Sequence, residues 1–148
     1  MTAVAIAYLG IVLWLTLGPA PWAGPDIAEG PWGVLNPTTW FSPITWTSGS
    51  SVEFTLNVMM FVPVGVLAAV LLRGRARIVL PVLFTVLIEI AQIFLPERVS
   101  DPRDLVANSI GAVVGLVFAG FLVEQVRVPP EERAAPAPVP PPYGRQPR

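Results

Sequence analysis

Residues 88–115 read IEIAQIFLPERVSDPRDLVANSIGAVVG, two apolar runs on either side of a short charged segment. The first run contains a glutamate, Glu89. Long apolar runs are typical of membrane helices, where an ionisable side chain costs about 2.5 to 3.5 kcal/mol on insertion scales. Such side chains normally face a bundle interior or water and mark function, so the surroundings of Glu89 decide how the chain is interpreted.

The composition favours a membrane protein. Of 148 residues, 53% are hydrophobic and only 13% are charged, a balance that is unusual for a soluble globular domain. The chain has no cysteine and no histidine, which removes disulfides, thiolate metal sites and the usual neutral-pH base. We therefore predict no metal and no cofactor, and any proton chemistry must use carboxylates, arginine, tyrosine or hydroxyl groups.

Apolar segments long enough, or nearly long enough, to cross a bilayer cover about 2–18, 54–72, 78–95 and 105–123. A span needs about 20 helical residues. The first segment could also be a signal peptide, but it lacks the basic region that precedes one, and an uncleaved helix is favoured. The predicted fold class is all-α, a polytopic membrane protein with four transmembrane helices.

Arginine sets the predicted topology. Arg73, Arg75 and Arg77 lie together between the second and third spans, whereas residues 19–53 contain no basic residue. Basic residues accumulate in cytoplasmic loops, so both termini are predicted to be cytoplasmic, with 19–53 and 96–104 outside. A basic run can also bind nucleic acid, but between two apolar spans a topological anchor is the better explanation.

The predicted domain organisation is a membrane domain over 1–125 followed by a proline-rich cytoplasmic tail over 126–148. The tail has too few large apolar side chains to form a core and is predicted to be disordered. Within the membrane domain, residues 19–53 form an extracytoplasmic loop that is rich in tryptophan. Tryptophan prefers the headgroup level, so the loop either lies on the outer leaflet or closes as a lid over a site.

Polar residues of three spans are predicted to converge at one depth. Thr85, Glu89 and Gln92 share a helix face. Asn57 lies about one turn into the second span and Asn108 about one turn into the fourth. Together they predict a polar layer in the outer half of the bundle, with a charged rim above it. The predicted ligand-binding residues are Asn57, Glu89, Gln92, Arg98, Asp101, Arg103, Asp104 and Asn108.

Small residues predict how the helices pack. Ala107, Gly111, Gly115 and Ala119 recur at four-residue spacing, a pattern that lets another helix backbone approach closely. Gly65 lies on the same side of the second span as Asn57. We predict that Gly65, Gly111 and Gly115 mediate helix packing. The buried amides could serve the same purpose as interhelical hydrogen bonds, and Glu89 could hold the rim through an ion pair with Arg98 or Arg103.

These motifs resemble the VanZ-like membrane proteins. The resemblance is carried by LNVMMFVPVG at 56–65, EIAQ at 89–92 and ERVSDPRDLVANSIGAVVG at 97–115, and it covers about residues 53–120. Two positions depart from the family pattern, Glu97 and Arg103. The matching positions are Asn57, Phe61, Pro63, Gly65, Glu89, Gln92, Arg98, Asp101, Asp104, Asn108, Gly111 and Gly115.

The resemblance implies a role in the bacterial cell envelope, and the family's namesake is associated with resistance to the glycopeptide teicoplanin. The leading hypothesis is a multi-pass plasma-membrane protein that binds an envelope lipid or a lipid-linked cell-wall precursor, with Arg98 and Arg103 facing an anionic headgroup. An alternative is a membrane-embedded hydrolase or transferase whose catalytic candidates are Glu89 and Asp104. Transport would require a homo-oligomer, and a structural or assembly subunit is the remaining alternative.

Overall fold

The computed structural model describes residues 2–19 and 32–127, and over these residues it is helical without strands. A 3-10 turn, Gly33–Leu35, and two short helices lie between the first long helix and the other three. The predicted all-α class is confirmed. The helices are α1 (Thr2–Leu17), α2 (Pro37–Phe41), α3 (Pro43–Thr47), α4 (Ser51–Leu71), α5 (Ala76–Gln92) and α6 (Pro102–Arg127).

Within the described residues, two helices are long and apolar enough to cross a membrane, Ser51–Leu71 and Pro102–Val123. The prediction of four such spans is therefore supported only in part. α1, with 16 residues, and α5, with 17, are shorter than these two helices. Since a helix rises about 1.5 Å per residue, both fall short of the about 20 residues that cross the hydrocarbon core. Only 22% and 33% of the two long spans is buried inside the protein, and exposed apolar surface of this extent suits lipid better than water.

Local signals explain where the helices begin and end. The hydroxyl of Ser50 accepts hydrogen bonds from Val52 N and Glu53 N and so caps α4, as expected of a serine at the N-cap position of a helix. α5 ends at Gln92, three residues before the predicted end at 95. The helical conformation is disfavoured for a residue that precedes proline, and Pro96 follows directly on Leu95.

The described part of the tryptophan-rich loop is ordered by its own polar groups. The side chain of Asn36 accepts from Thr38 N at the start of α2. Trp40 Nε1 donates to Val34 O at 2.8 Å, and Trp46 Nε1 donates to Trp40 O at 3.0 Å. Residues 20–31 of this loop, and the predicted proline-rich tail beyond residue 127, lie outside the described residues.

The closest helix pair is α4 with α6, and three glycines lie where the two backbones meet. A Cβ atom on Gly65 would overlap the carbonyl oxygen of Ala112, and one on Gly115 would overlap that of Val62. Gly111 is equally tight against Val58. Beside this contact, the buried side chains of Val12, Phe61, Val64 and Ile88 form a core that joins α1, α4 and α5.

The predicted topology can be tested directly because the chain has no native cysteine. Ser48 follows α3, and Arg75 lies in the connection between α4 and α5; both residues are exposed. If the arginine-rich connection is cytoplasmic, a membrane-impermeant maleimide should label the Ser48→Cys variant in intact cells and the Arg75→Cys variant only after permeabilisation. The opposite labelling would contradict the predicted orientation.

Candidate functional site

Glu89 lies at the centre of the polar layer and is completely buried. Its Oε2 atom accepts a hydrogen bond of 3.0 Å from the backbone N–H of Asp101, and the side chain of Ser100 is a second hydrogen-bond partner. Its other oxygen, Oε1, has no hydrogen-bond partner. One oxygen of the carboxyl group therefore holds residues 93–101, the connection between α5 and α6 that we call the rim loop, against α5. The other oxygen remains available.

The rim loop in turn carries the tryptophan-rich segment. The Ser100 hydroxyl accepts a hydrogen bond of 3.3 Å from Val34 N. Gly33 has a φ of +47° and approaches so closely that a Cβ atom there would collide with Ser100. Because only glycine adopts this conformation at little cost, Gly33 lets the 3-10 turn rest on the rim near Glu89.

The start of α6 brings two carboxylates to the layer. Asp101 Oδ1 accepts a hydrogen bond of 2.7 Å from Arg103 N, so Asp101 caps the helix and Pro102 occupies its first position, where proline is well tolerated. Asp104 follows in the first turn, and its carboxylate is hydrogen-bonded to the side chain of Asn57 on α4. Burial raises the pKa of Asp101 above its ordinary value, although the backbone N–H and the charge of Arg103 act in the opposite direction.

The two arginines of the rim have different surroundings. Arg98 Nη2 donates to the carbonyl oxygens of Leu15 and Gly18, both at 2.7 Å, and Arg98 Nε donates to Gly18 O at 3.0 Å. Burial lowers the pKa of this guanidinium, with a smaller opposing effect from Glu97. Arg98 thus caps the C-terminal end of α1, where four carbonyl groups lack partners within the helix.

Arg103 remains close to the carboxylates. Its Nη2 atom donates to Ser50 O at 3.4 Å, and its guanidinium carbon lies 6.0 Å from the centre of the Phe54 ring. The guanidinium also fills the space where a Cβ atom of Gly49 would lie. Arg103 is therefore the rim arginine that remains near the layer, whereas Arg98 is directed to α1.

Buried polar atoms without partners line the interior of the bundle. The side-chain N–H of Gln92 donates to Thr16 O at 3.1 Å, which ties α5 to α1. Asn108 is 2% exposed and Thr85 is fully buried. Buried polar groups are almost always hydrogen-bonded, so such atoms indicate a missing partner. Among the residues that the structure describes, the buried side-chain atoms without a partner are Thr85 Oγ1, Glu89 Oε1, Gln92 Oε1 and Asn108 Oδ1.

The predicted site residues therefore fall into two groups. Glu89, Asp101 and Asp104 lie close together, and Asn57 joins them through Asp104. Gln92 and Arg98 contact α1 instead. Sequence reasoning did not include Ser100 or Thr16 in the site. Ser100 lies within the 97–115 motif but is not one of its matching positions, and Thr16 lies in none of the quoted motifs. In the part of the chain that the structure describes, no group of three or more acidic side chains could hold a metal ion.

These features define a helical protein with two helices able to cross a membrane and a buried polar layer to which α4, α5 and α6 contribute. A family model described as VanZ/LLP1 matches residues 5–123, and the chain belongs to this family. The resemblance noted from the motifs at 56–65, 89–92 and 97–115 is thereby confirmed. No curated protein and no solved structure matches the chain.

Proposed function

We propose that the protein is a multi-pass protein of the bacterial plasma membrane that binds an envelope lipid, or a lipid-linked cell-wall precursor, in its outer polar layer. The observation that carries the proposal is the set of buried polar atoms without partners, which includes Glu89 Oε1 and Asn108 Oδ1. Leaving such atoms unsatisfied costs about 1 to 3 kcal/mol each. A bound headgroup would recover this cost.

An apolar groove on α6 supports a lipid as the ligand. The groove begins at Leu105 in the first turn of the helix, has a volume of about 390 Å³ and is open along one side. An acyl chain would run along it while the headgroup lies at the level of Asp104 and Asn108. The groove is lined by Leu105, Val106, Ser109, Ile110, Val113 and Val114.

The proposal assigns the polar residues different tasks from those expected from sequence. Arg103 is the arginine that could contact a phosphate, since guanidinium groups suit that anion. Arg98 holds α1 in place and so supports the site indirectly. Asn57 orients Asp104, and Glu89 and Asn108 offer acceptors to the ligand. Within the family context, binding of a cell-wall precursor would be the route to any contribution to teicoplanin resistance.

Photo-crosslinking tests the binding proposal. Trypsin should release residues 104–127 as one peptide, because it cleaves after Arg103 and after Arg127 and no basic residue lies between them. A phospholipid with a photoreactive group in its acyl chain should crosslink mainly to this peptide in the purified protein. Val113→Trp, which fills the groove, should lower the yield at least threefold. Val117→Trp, at an exposed position beyond the groove, is the matched control. Equal labelling of all exposed apolar peptides would contradict the proposal.

A second candidate function is hydrolysis or transfer on a lipid-linked phosphate or glycosyl substrate. It is favoured by one observation, the proximity of Glu89 to Asp104, because two neighbouring carboxyl groups can divide the roles of general acid and general base. The purified protein should then convert a lipid-linked substrate, and Glu89→Gln should lower the rate of conversion at least a hundredfold. Product formation that is unchanged in Glu89→Gln would exclude these residues as catalysts.

A further inference from the structure

The polar layer has acceptors in excess of donors. Gln92 Oε1 and Asn108 Oδ1 are acceptors, and so is Glu89 Oε1 when the carboxyl group is ionised. All three side chains are at least nine-tenths buried, and these oxygens have no partner. Thr85 Oγ1 can either donate or accept. A ligand that completes this layer must therefore bring hydrogen-bond donors, and it gains little from acceptors of its own.

The layer and its edge also contain more carboxyl groups than basic groups. Glu89 lies within electrostatic reach of Asp104 and Asp101, and Glu53 acts on both aspartates. Among the described residues, the basic group that faces these carboxylates is Arg103. Arg98 is directed to the carbonyl oxygens of α1. A cation would therefore be favoured between the carboxyl groups, whereas a phosphate would contact Arg103 at the edge.

These requirements discriminate between headgroup chemistries. A primary ammonium has three donors, no acceptor and a positive charge. A quaternary ammonium has the charge without the donors, and a phosphate or a carboxylate has only acceptors and the wrong charge. A sugar hydroxyl has one donor and no charge. A primary ammonium is the group that satisfies both the unpartnered acceptors and the carboxylates.

We propose that the polar layer binds the primary ammonium group of its ligand, between Asp104 at the half-buried edge and Glu89 behind it. The inference rests on the proposed binding function and names the ligand's chemistry. Asn57 holds the Asp104 carboxylate in place, and Asn108 stands one helical turn beyond Asp104 on the same face of α6. The ammonium could belong to an aminophospholipid or to the peptide of a lipid-linked precursor.

Calorimetric titration of the purified full chain in mild detergent tests this inference. The probes are dihexanoylphosphatidylethanolamine, its N-trimethyl counterpart and the corresponding phosphatidylglycerol. Hydrogen bonds to a charged group correspond to roughly tenfold or more in affinity, so the ethanolamine lipid should bind about tenfold more tightly than either other lipid. Glu89→Gln and Asp104→Asn should each reduce this preference to less than about threefold.

Glu97→Gln is the matched control, because it removes an exposed rim carboxylate and should keep the full preference. Glu89→Gln keeps a side-chain oxygen that can accept the Asp101 N–H, so the fold should persist, and thermal unfolding verifies this. Asp104→Asn provides the second variant. Competition by a lysine amide peptide, but not by its acetylated form, would assign the ammonium to a peptide. Binding of the lipid alone would assign it to an aminophospholipid.

Other outcomes overturn the inference, and they are distinguishable. Equal affinity for the three lipids would refute the ammonium assignment and leave headgroup binding intact. A preference that survives in both Glu89→Gln and Asp104→Asn would refute the assigned residues. A preference for phosphatidylglycerol would refute the charge argument. Absence of binding by every lipid and by the peptide would refute the proposed function as well.

Discussion

Replacing Gly115 with leucine is expected to separate α4 from α6 and to destabilise the protein strongly. Even a Cβ atom at this position overlaps the carbonyl oxygen of Val62, and that backbone cannot move without displacing α4. Overpacking typically costs about 1 to 3 kcal/mol of the free energy of unfolding and sometimes more. We expect the cost of Gly115→Leu to lie at or above the upper end of this range, because the contact is with backbone. Thermal unfolding in mild detergent should show a large fall in Tm or a loss of the monodisperse protein.

Gly120→Leu provides the matched control on the same helix. A Cβ atom at Gly120 meets nothing within 4 Å, so the same substitution there should leave the Tm nearly unchanged. Equal Tm values for Gly115→Leu and Gly120→Leu would show that the close approach of α4 and α6 does not hold the fold together.

Arg98→Ala is the second change with a large expected effect. It removes the donors that satisfy the carbonyl oxygens of Leu15 and Gly18 at the end of α1. Hydrogen bonds to charged groups contribute about 1.5 to 3 kcal/mol each, and the half-exposed position reduces this, so we expect a loss of about 2 to 4 kcal/mol in the free energy of unfolding. Hydrogen exchange of the last turn of α1 should accelerate as well.

Two variants make the Arg98 result specific. Arg98→Lys should recover only part of the stability, because an ammonium cannot reproduce the planar fork of a guanidinium. Arg73→Ala, at an exposed position of the arginine-rich connection, should change little. If Arg98→Ala and Arg73→Ala were equally stable, Arg98 would not be the cap of α1 and would again be a candidate for direct ligand contact.

The features that could be predicted from sequence are those that follow from local rules. The long apolar runs predicted the longer helices, and the four-residue spacing of Gly111 and Gly115 indicated which face of α6 packs against another helix. The end of α5 at Gln92 was predicted three residues too late, because hydropathy continues through Phe94 and Leu95, whereas helix termination depends on the backbone preference before Pro96.

The partners of the polar residues could not be predicted in the same way. Arg98 and Arg103 have the same side chain and lie five positions apart, yet only Arg98 reaches α1. This depends on where α1 ends relative to the rim, which is a tertiary relation without a sequence signal. The contact of Gly33 with Ser100 spans 67 positions, and the hydrogen bond from Val34 N to Ser100 Oγ spans 66. Convergence of polar residues could be predicted, but the distribution of their hydrogen bonds could not.

The central claim is that a ligand's donors complete the buried acceptors of the polar layer. Solid-state NMR of the reconstituted protein tests it most directly, by measuring dipolar coupling between a labelled ethanolamine nitrogen and labelled side-chain carboxyl carbons. We predict strong coupling, consistent with hydrogen bonds of about 2.7 to 2.9 Å between the ammonium and a carboxylate, and its loss in both Glu89→Gln and Asp104→Asn. Absence of coupling in the wild-type protein saturated with the ethanolamine lipid would contradict the claim.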